Sequence, residues 1–90
     1  MTGVYILLCK NGRFYVGSTN LLKRRMFQHQ HGSVLSTKYI LPINLKAFIP
    51  CENLTVARKL ERKIKKSKSR KIIESYIEKY PFSETLEHSD

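Results

Sequence analysis

The sequence has no tryptophan, two cysteines, three prolines, four glycines, and only seven acidic residues against seventeen basic ones. Each scarcity excludes something. Cys9 and Cys51 cannot build a disulfide framework, and no CxxC or HxxxH spacing offers a zinc site. Both lie in apolar, strand-like runs and are expected to be reduced core filler, with no disulfide. The longest apolar stretch, Val4-Tyr5-Ile6-Leu7-Leu8-Cys9, is far short of the roughly 20 residues of a membrane span. No basic region followed by an apolar one opens the chain, so no signal peptide is read and a cytoplasmic location is the default expectation. The acids are also unevenly placed. All seventeen bases but only four acids precede position 81, so this stretch carries +13 against +10 for the whole chain.

What is present suffices for a small core. Leu, Ile, Val and Phe make up 26 of the 90 residues, above the roughly 20% below which disorder is the better expectation. Residues 4–9 and Phe14–Ser18 read as strands, joined at Lys10-Asn11-Gly12-Arg13 by an Asn-Gly hairpin signal in which both positions tolerate φ > 0. Thr19 or Asn20 can cap a helix to about Gln30 with an apolar stripe of Leu21, Leu22 and Met26, stopped by Gly32. Residues 33–44 read as a loop, and Leu45–Ile49 as a weakly alternating third strand closed by Pro50. Asn53 or Thr55 opens a second helix whose Val56, Ala57, Leu60 and Ile64 form a narrow buried face. Ser67 and Ser69 mark a break before a third helix, with Ile72, Ile73, Tyr76, Ile77 and Tyr80 as its apolar face and Pro81 as its stop. The expectation is one α/β (α+β) domain over residues 1–80, three antiparallel strands flanked by helices in the order β-β-α-β-α-α, then a loose acidic tail over 81–90.

Arg58, Lys59, Arg62, Lys63, Lys65, Lys66, Lys68, Arg70 and Lys71 place nine bases in the sixteen residues 56–71. Like charges one turn apart, such as Arg58 and Arg62, repel unless a polyanion neutralises them. Nucleic acid is therefore the expected partner, with Arg24 and Lys38 added to the footprint, and base density alone does not separate DNA from RNA. One acid, Glu61, interrupts the run. It can simply pair with Lys65 at i+4, a contact of about 0.3–0.5 kcal/mol. Yet it borders the apolar stripe, and a carboxylate on a phosphate-binding face is repulsive unless a cation bridges the two; Mg²⁺ commonly takes one or two carboxylates. On the first helix, Arg25 and His29 lie one turn apart at the edge of the core, where a guanidinium could grip a phosphate and stabilise charge growing on it. Tyr5 and Tyr15 lie on adjacent strands as core residues or as phenols beside Arg25 and Glu61. A phenol acting as a base needs cationic neighbours.

Gly3-Val4-Tyr5 and Tyr15-Val16-Gly17 together resemble the paired motif of the GIY-YIG nuclease domain. Leu21-Leu22-Lys23-Arg24-Arg25 with His29 is similar to the family's first-helix signature, and Ala57-Arg58-Lys59-Leu60-Glu61 to the helix bearing its metal-binding glutamate. Ser36-Thr37-Lys38-Tyr39 and residues 66–70 resemble the small stand-alone bacterial members. No counterpart is found to the Asn that larger members carry after the metal helix, and Ser67 stands where stand-alone members often have Trp. The resemblance implies one divalent ion, Mg²⁺ or alternatively Mn²⁺, held by Glu61. It also implies Tyr5 or His29 as the general base, Arg25 stabilising phosphorane-like charge, and Tyr15 and His29 positioning water or phosphate. A metal-dependent endonuclease or nickase for structured or damaged DNA is the leading expectation, and a non-catalytic nucleic-acid-binding module the alternative. A protein partner or dimerisation is left open.

Overall fold

The computed structural model describes residues 1–32 and 43–86. Lys38, the Ser36–Tyr39 resemblance, most of the expected 33–44 loop and residues 87–90 lie outside the described residues. Strands β1 (Gly3–Cys9), β2 (Phe14–Thr19), β3 (Ile43–Pro50) and β4 (Pro81–Leu86) form one antiparallel sheet in the order β2-β1-β3-β4. Helices α1 (Leu22–Gln30), α2 (Leu54–Ser67) and α3 (Arg70–Lys79) complete the α+β fold.

The sheet therefore has four strands where three were expected. Pro81 begins the extra strand, a tolerated place because its missing N–H falls at the start of an edge strand. Pro81 does end α3, as expected, but the first six residues of the expected loose tail pair with β3.

β1 is apolar throughout because both of its faces are covered. Tyr5, Leu7 and Cys9 pack with Leu22 and Met26 of α1 and with Leu45 and Phe48. Val4 and Ile6 pack on the opposite side with Val16, Ala47, Ile49, and Ala57 and Ile64 of α2. β3 alternates weakly in sequence for a structural reason. The register with its neighbours shifts between Leu45 and Ala47, and these two residues join opposite cores although they are two apart. A bulge there resets the period-two pattern.

The hairpin forms, but not by the two-residue turn suggested by Asn-Gly. Only Gly12 of the pair has positive φ, at 81°. Gly12 N–H donates to Cys9 O at 2.9 Å and Cys9 N–H to Arg13 O at 2.9 Å, a three-residue loop with glycine at the left-handed position. α1 is entered at Leu21, one residue after Asn20 and two after Thr19, with no side-chain cap; Thr19 Oγ1 instead accepts from Leu21 N–H at 3.0 Å. Asn53 caps α2 through Val56 N–H, and Ser69 caps α3 through Ile72 N–H. Between them Lys68 takes φ 50°, the left-handed conformation that ends α2. Two expected core positions are corrected: Leu21 and Val56 are 48% and 42% exposed, so the buried stripes start at Leu22 and Ala57. Ile72 is likewise exposed.

Candidate active site

Tyr5 lies on a central strand, directly opposite Gly17 on the edge strand β2. A Cβ at position 17 would overlap Cζ and Oη of the Tyr5 ring, so only glycine lets the ring lie flat across β2. This passage carries the Tyr5 hydroxyl to α1. There it accepts a hydrogen bond from Arg25 Nε at 3.2 Å and meets His29 Nε2 at 2.9 Å. With the neutral imidazole protonated on Nδ1, Nε2 is an acceptor and Tyr5 O–H donates to it. Tyr15 lies over the pair, its ring 6.2 Å from Tyr5 and 5.1 Å from His29. Arg25 is braced by Gln28 Oε1, which accepts from Nη1 at 3.1 Å.

The electrostatics of this group follow from its burial. Tyr5 is pushed up to about 12, because desolvation outweighs the Arg25 hydrogen bond. The cationic neighbour is thus present, but burial dominates, and the resting phenol keeps its proton. Arg25 is raised above its ordinary value by that same hydrogen bond. His29 is fully buried, and desolvation, then Arg25, lowers it to about 4. His29 and Tyr5 are both fully buried, and the His29 ring lies against Tyr5 and Tyr15. Its Nε2 meets the Tyr5 hydroxyl.

His29 also makes stability depend on pH. Its folded value of about 4 lies below the ordinary 6.5, so between these the unfolded chain binds a proton that the folded chain refuses. Stability is complete above that window and is lost as pH falls through it, by on the order of 3 kcal/mol if the whole shift is realised. Denaturant unfolding at several pH values is expected to show this slope in wild type and a flatter one in His29→Phe. Equal slopes would remove His29 as its source.

Glu61 stands on the other side of the β2 edge. Ser18 Oγ donates to Oε1, and Lys65 Nζ donates to Oε2 at 2.6 Å. Burial alone would raise the carboxyl, but the hydrogen bonds from Lys65 and Ser18 outweigh it and hold it below its ordinary value. Lys65 Nζ also lies 5.9 Å from the centre of the Tyr15 ring, so it spans the two halves of the site. The i+4 pairing weighed from sequence thus forms, with a carboxylate held ionised and a cation already beside it.

A cleft of about 310 Å³ adjoins Arg25 and is lined also by Ser18, Thr19, Arg24, Gln28 and Arg58. Arg62, Lys63, Lys66, Lys68 and Lys71 are exposed along α2 and the start of α3. Arg70 is differently engaged: Nη1 donates to Gly12 O at 3.0 Å, and the guanidinium lies 4.3 Å from the centre of the Phe14 ring. It ties α3 to the hairpin turn. Sequence reasoning missed Ser18 and Gln28. Gln28 had a signal, lying three residues after Arg25 on the same helix face. Ser18 had one only once β2 was in register, since Ser18 opposite Val4 faces α2.

Among the described residues no group of three or more His, Cys, Asp or Glu side chains comes together. No described helix is long and apolar enough to cross a membrane. A model of the GIY-YIG catalytic domain matches residues 1–80. The UPF0213 protein XAC3202 of Xanthomonas axonopodis pv. citri (strain 306) is 34% identical over 64 residues, which cover 70% of this chain and 63% of that protein. The match thus spans less than two thirds of that relative's length. No solved structure matches the chain. By the match over residues 1–80 and the 34% identical relative, the chain belongs to the GIY-YIG catalytic domain family.

Proposed function

We propose that this chain is a metal-dependent endonuclease or nickase that hydrolyses DNA phosphodiester bonds, acting on structured or damaged DNA. The observation that carries this reading is the Arg25–Tyr5–His29 chain, with Lys65, paired to Glu61, reaching the Tyr15 ring that lies over it. A binding module needs only a basic surface; it has no use for a buried imidazole seated on a tyrosine hydroxyl.

Arg25 would grip a non-bridging oxygen of the scissile phosphate and neutralise charge as the water oxygen bonds to phosphorus and the P–O bond to the leaving group breaks. The Tyr5 hydroxyl would accept a proton from that water as its own passes to His29 Nε2. Phosphate bound at Arg25 would offset the positive charge that helps keep His29 neutral, easing this relay. Tyr15, beside Arg25, would orient the phosphate.

A divalent cation fits the residues present. Glu61 is an ionised carboxylate with one oxygen fixed by Ser18 and the other against a cation. A single carboxylate suits Mg²⁺ or Mn²⁺, which keep several waters, and does not suit structural zinc. The bound ion would supply neutralisation of charge on the leaving oxygen. The reading is tested by incubating the protein with supercoiled, branched and single-stranded DNA, and with RNA, in Mg²⁺ or in chelator. Metal-dependent cutting of DNA supports it.

One observation favours the alternative of a non-catalytic nucleic-acid-binding module: Lys65 already neutralises Glu61. The pair is exposed on the Lys65 side, so its strength is at the screened end, about 1 kcal/mol or less. Lys65→Met is therefore expected to bind Mn²⁺ up to about 5-fold more tightly than wild type. Calorimetric titration without DNA reads this directly, with Glu61→Gln as the blank. No Mn²⁺ binding by wild type or Lys65→Met would favour the binding module.

A further inference from the structure

Arg24 and Arg25 are neighbours on α1, and successive helix residues point about 100° apart. Arg25 turns inward to the Tyr5 hydroxyl, while exposed Arg24 lines the cleft beside it. Arg58 lines the same cleft from α2, one turn before Glu61, and its charge helps hold the Glu61 carboxyl down. Three guanidinium groups thus border a space of about 310 Å³ that no acidic residue lines. Neither Arg24 nor Arg58 has an ion pair among the described residues. Cations gathered this way repel one another until an anion joins them.

The lining also says which part of an anion it fits. Its other walls include Ser18, Thr19 and Asn20, and no aromatic ring faces the cleft. There is nothing for a base to stack on, whereas planar guanidinium forks match phosphate oxygens. Arg25 belongs both to the cleft and to the Tyr5 group. A phosphate in the cleft therefore lies next to one held for reaction.

We infer that this cleft is a second phosphate subsite, gripped by Arg24 and Arg58, that takes the phosphodiester adjacent to the scissile one on the same strand. The inference rests on the nuclease reading for the word scissile, but the binding of two consecutive phosphates stands without it. It makes recognition here independent of sequence and dependent on chain length. A linkage with no charged neighbour on the cleft side is a poor substrate, which suits cutting within a strand rather than at its very end.

The test is an NMR titration without metal, using a thymidine dinucleotide with one phosphate and a trinucleotide with two. Wild type is expected to bind the trinucleotide about tenfold more tightly, beyond the roughly twofold gain from having two registers. The side-chain Nε resonances of Arg24 and Arg58 should shift markedly more with the trinucleotide. A trinucleotide whose second linkage is a neutral methylphosphonate should behave as the dinucleotide. The double variant Arg24→Ala, Arg58→Ala should lose the extra affinity, and both positions are exposed, so the fold is expected to persist; Lys10→Ala at the hairpin turn, outside the basic footprint, should keep it. If the double variant keeps the trinucleotide preference, or wild type shows none, the subsite is overturned. Because no cleavage is involved, failure of the nuclease reading leaves this result interpretable.

Discussion

Arg25→Ala is expected to cleave saturating DNA with a kcat about 100- to 1,000-fold below wild type, the usual consequence of losing a group that meets charge only in the transition state. The guanidinium is aimed by two contacts, Nε on the Tyr5 hydroxyl and Nη1 on Gln28, which leave further donors for a phosphate. The bond to Tyr5 also favours the ionised form of the phenol against the burial that raises it, so the variant loses charge neutralisation and part of the relay together. Arg25→Lys should recover little, because an ammonium cannot hold Tyr5 and a phosphate through one rigid fork. Single-turnover cleavage at saturating DNA separates the possibilities. A variant with raised KM and unchanged kcat would make Arg25 an ordinary phosphate contact.

Gly17→Ala is expected to damage both fold and activity. The new Cβ would meet the Tyr5 ring, which is fully buried between Tyr15, His29 and the core and has nowhere to retreat. Overpacking of this kind costs about 1–3 kcal/mol, which for a chain of this size is a fall in Tm of roughly 5–20 °C. Below that Tm the surviving protein should still cut poorly, because the strain falls on the hydroxyl that Arg25 and His29 hold. The same substitution in a Tyr5→Ala background should cost far less, since the obstructing ring is gone; a double-mutant cycle measures the coupling. Equal costs in both backgrounds would contradict the stated role of Gly17.

Most elements were legible because their signals are local. Gly12, Asn53, Ser69 and Gly32 mark turns, caps and a stop, and the helical stripes around Met26 and Ile64 follow from periodicity. β4 was not legible: it has a proline at its start and is defined by pairing with β3, a partner more than thirty residues away. The bulge at Leu45–Ala47 hid the alternation of β3 in the same way. At the candidate site, the position of Glu61 beside the apolar stripe and of Arg25 at the core edge could be read from helix geometry. That Ser18 holds Glu61, that His29 is sealed from solvent, and that Lys65 reaches toward Tyr15 all depend on how α1 and α2 sit on opposite faces of one strand.

A net charge of +10 favours polyanions of any kind; in the proposed mechanism Glu61 is what separates cutting from holding. The most direct measurement is single-turnover cleavage of DNA by wild type and Glu61→Gln, with Mg²⁺ titrated from chelator upward. Glu61→Gln keeps the size of the side chain, and its amide can still accept from Ser18. The expected result is cleavage by wild type that rises with Mg²⁺, and Glu61→Gln binding DNA while cutting it at least about 100-fold more slowly at every Mg²⁺ concentration. Wild type that cuts no DNA, or Glu61→Gln that cuts as fast as wild type, would contradict the mechanism.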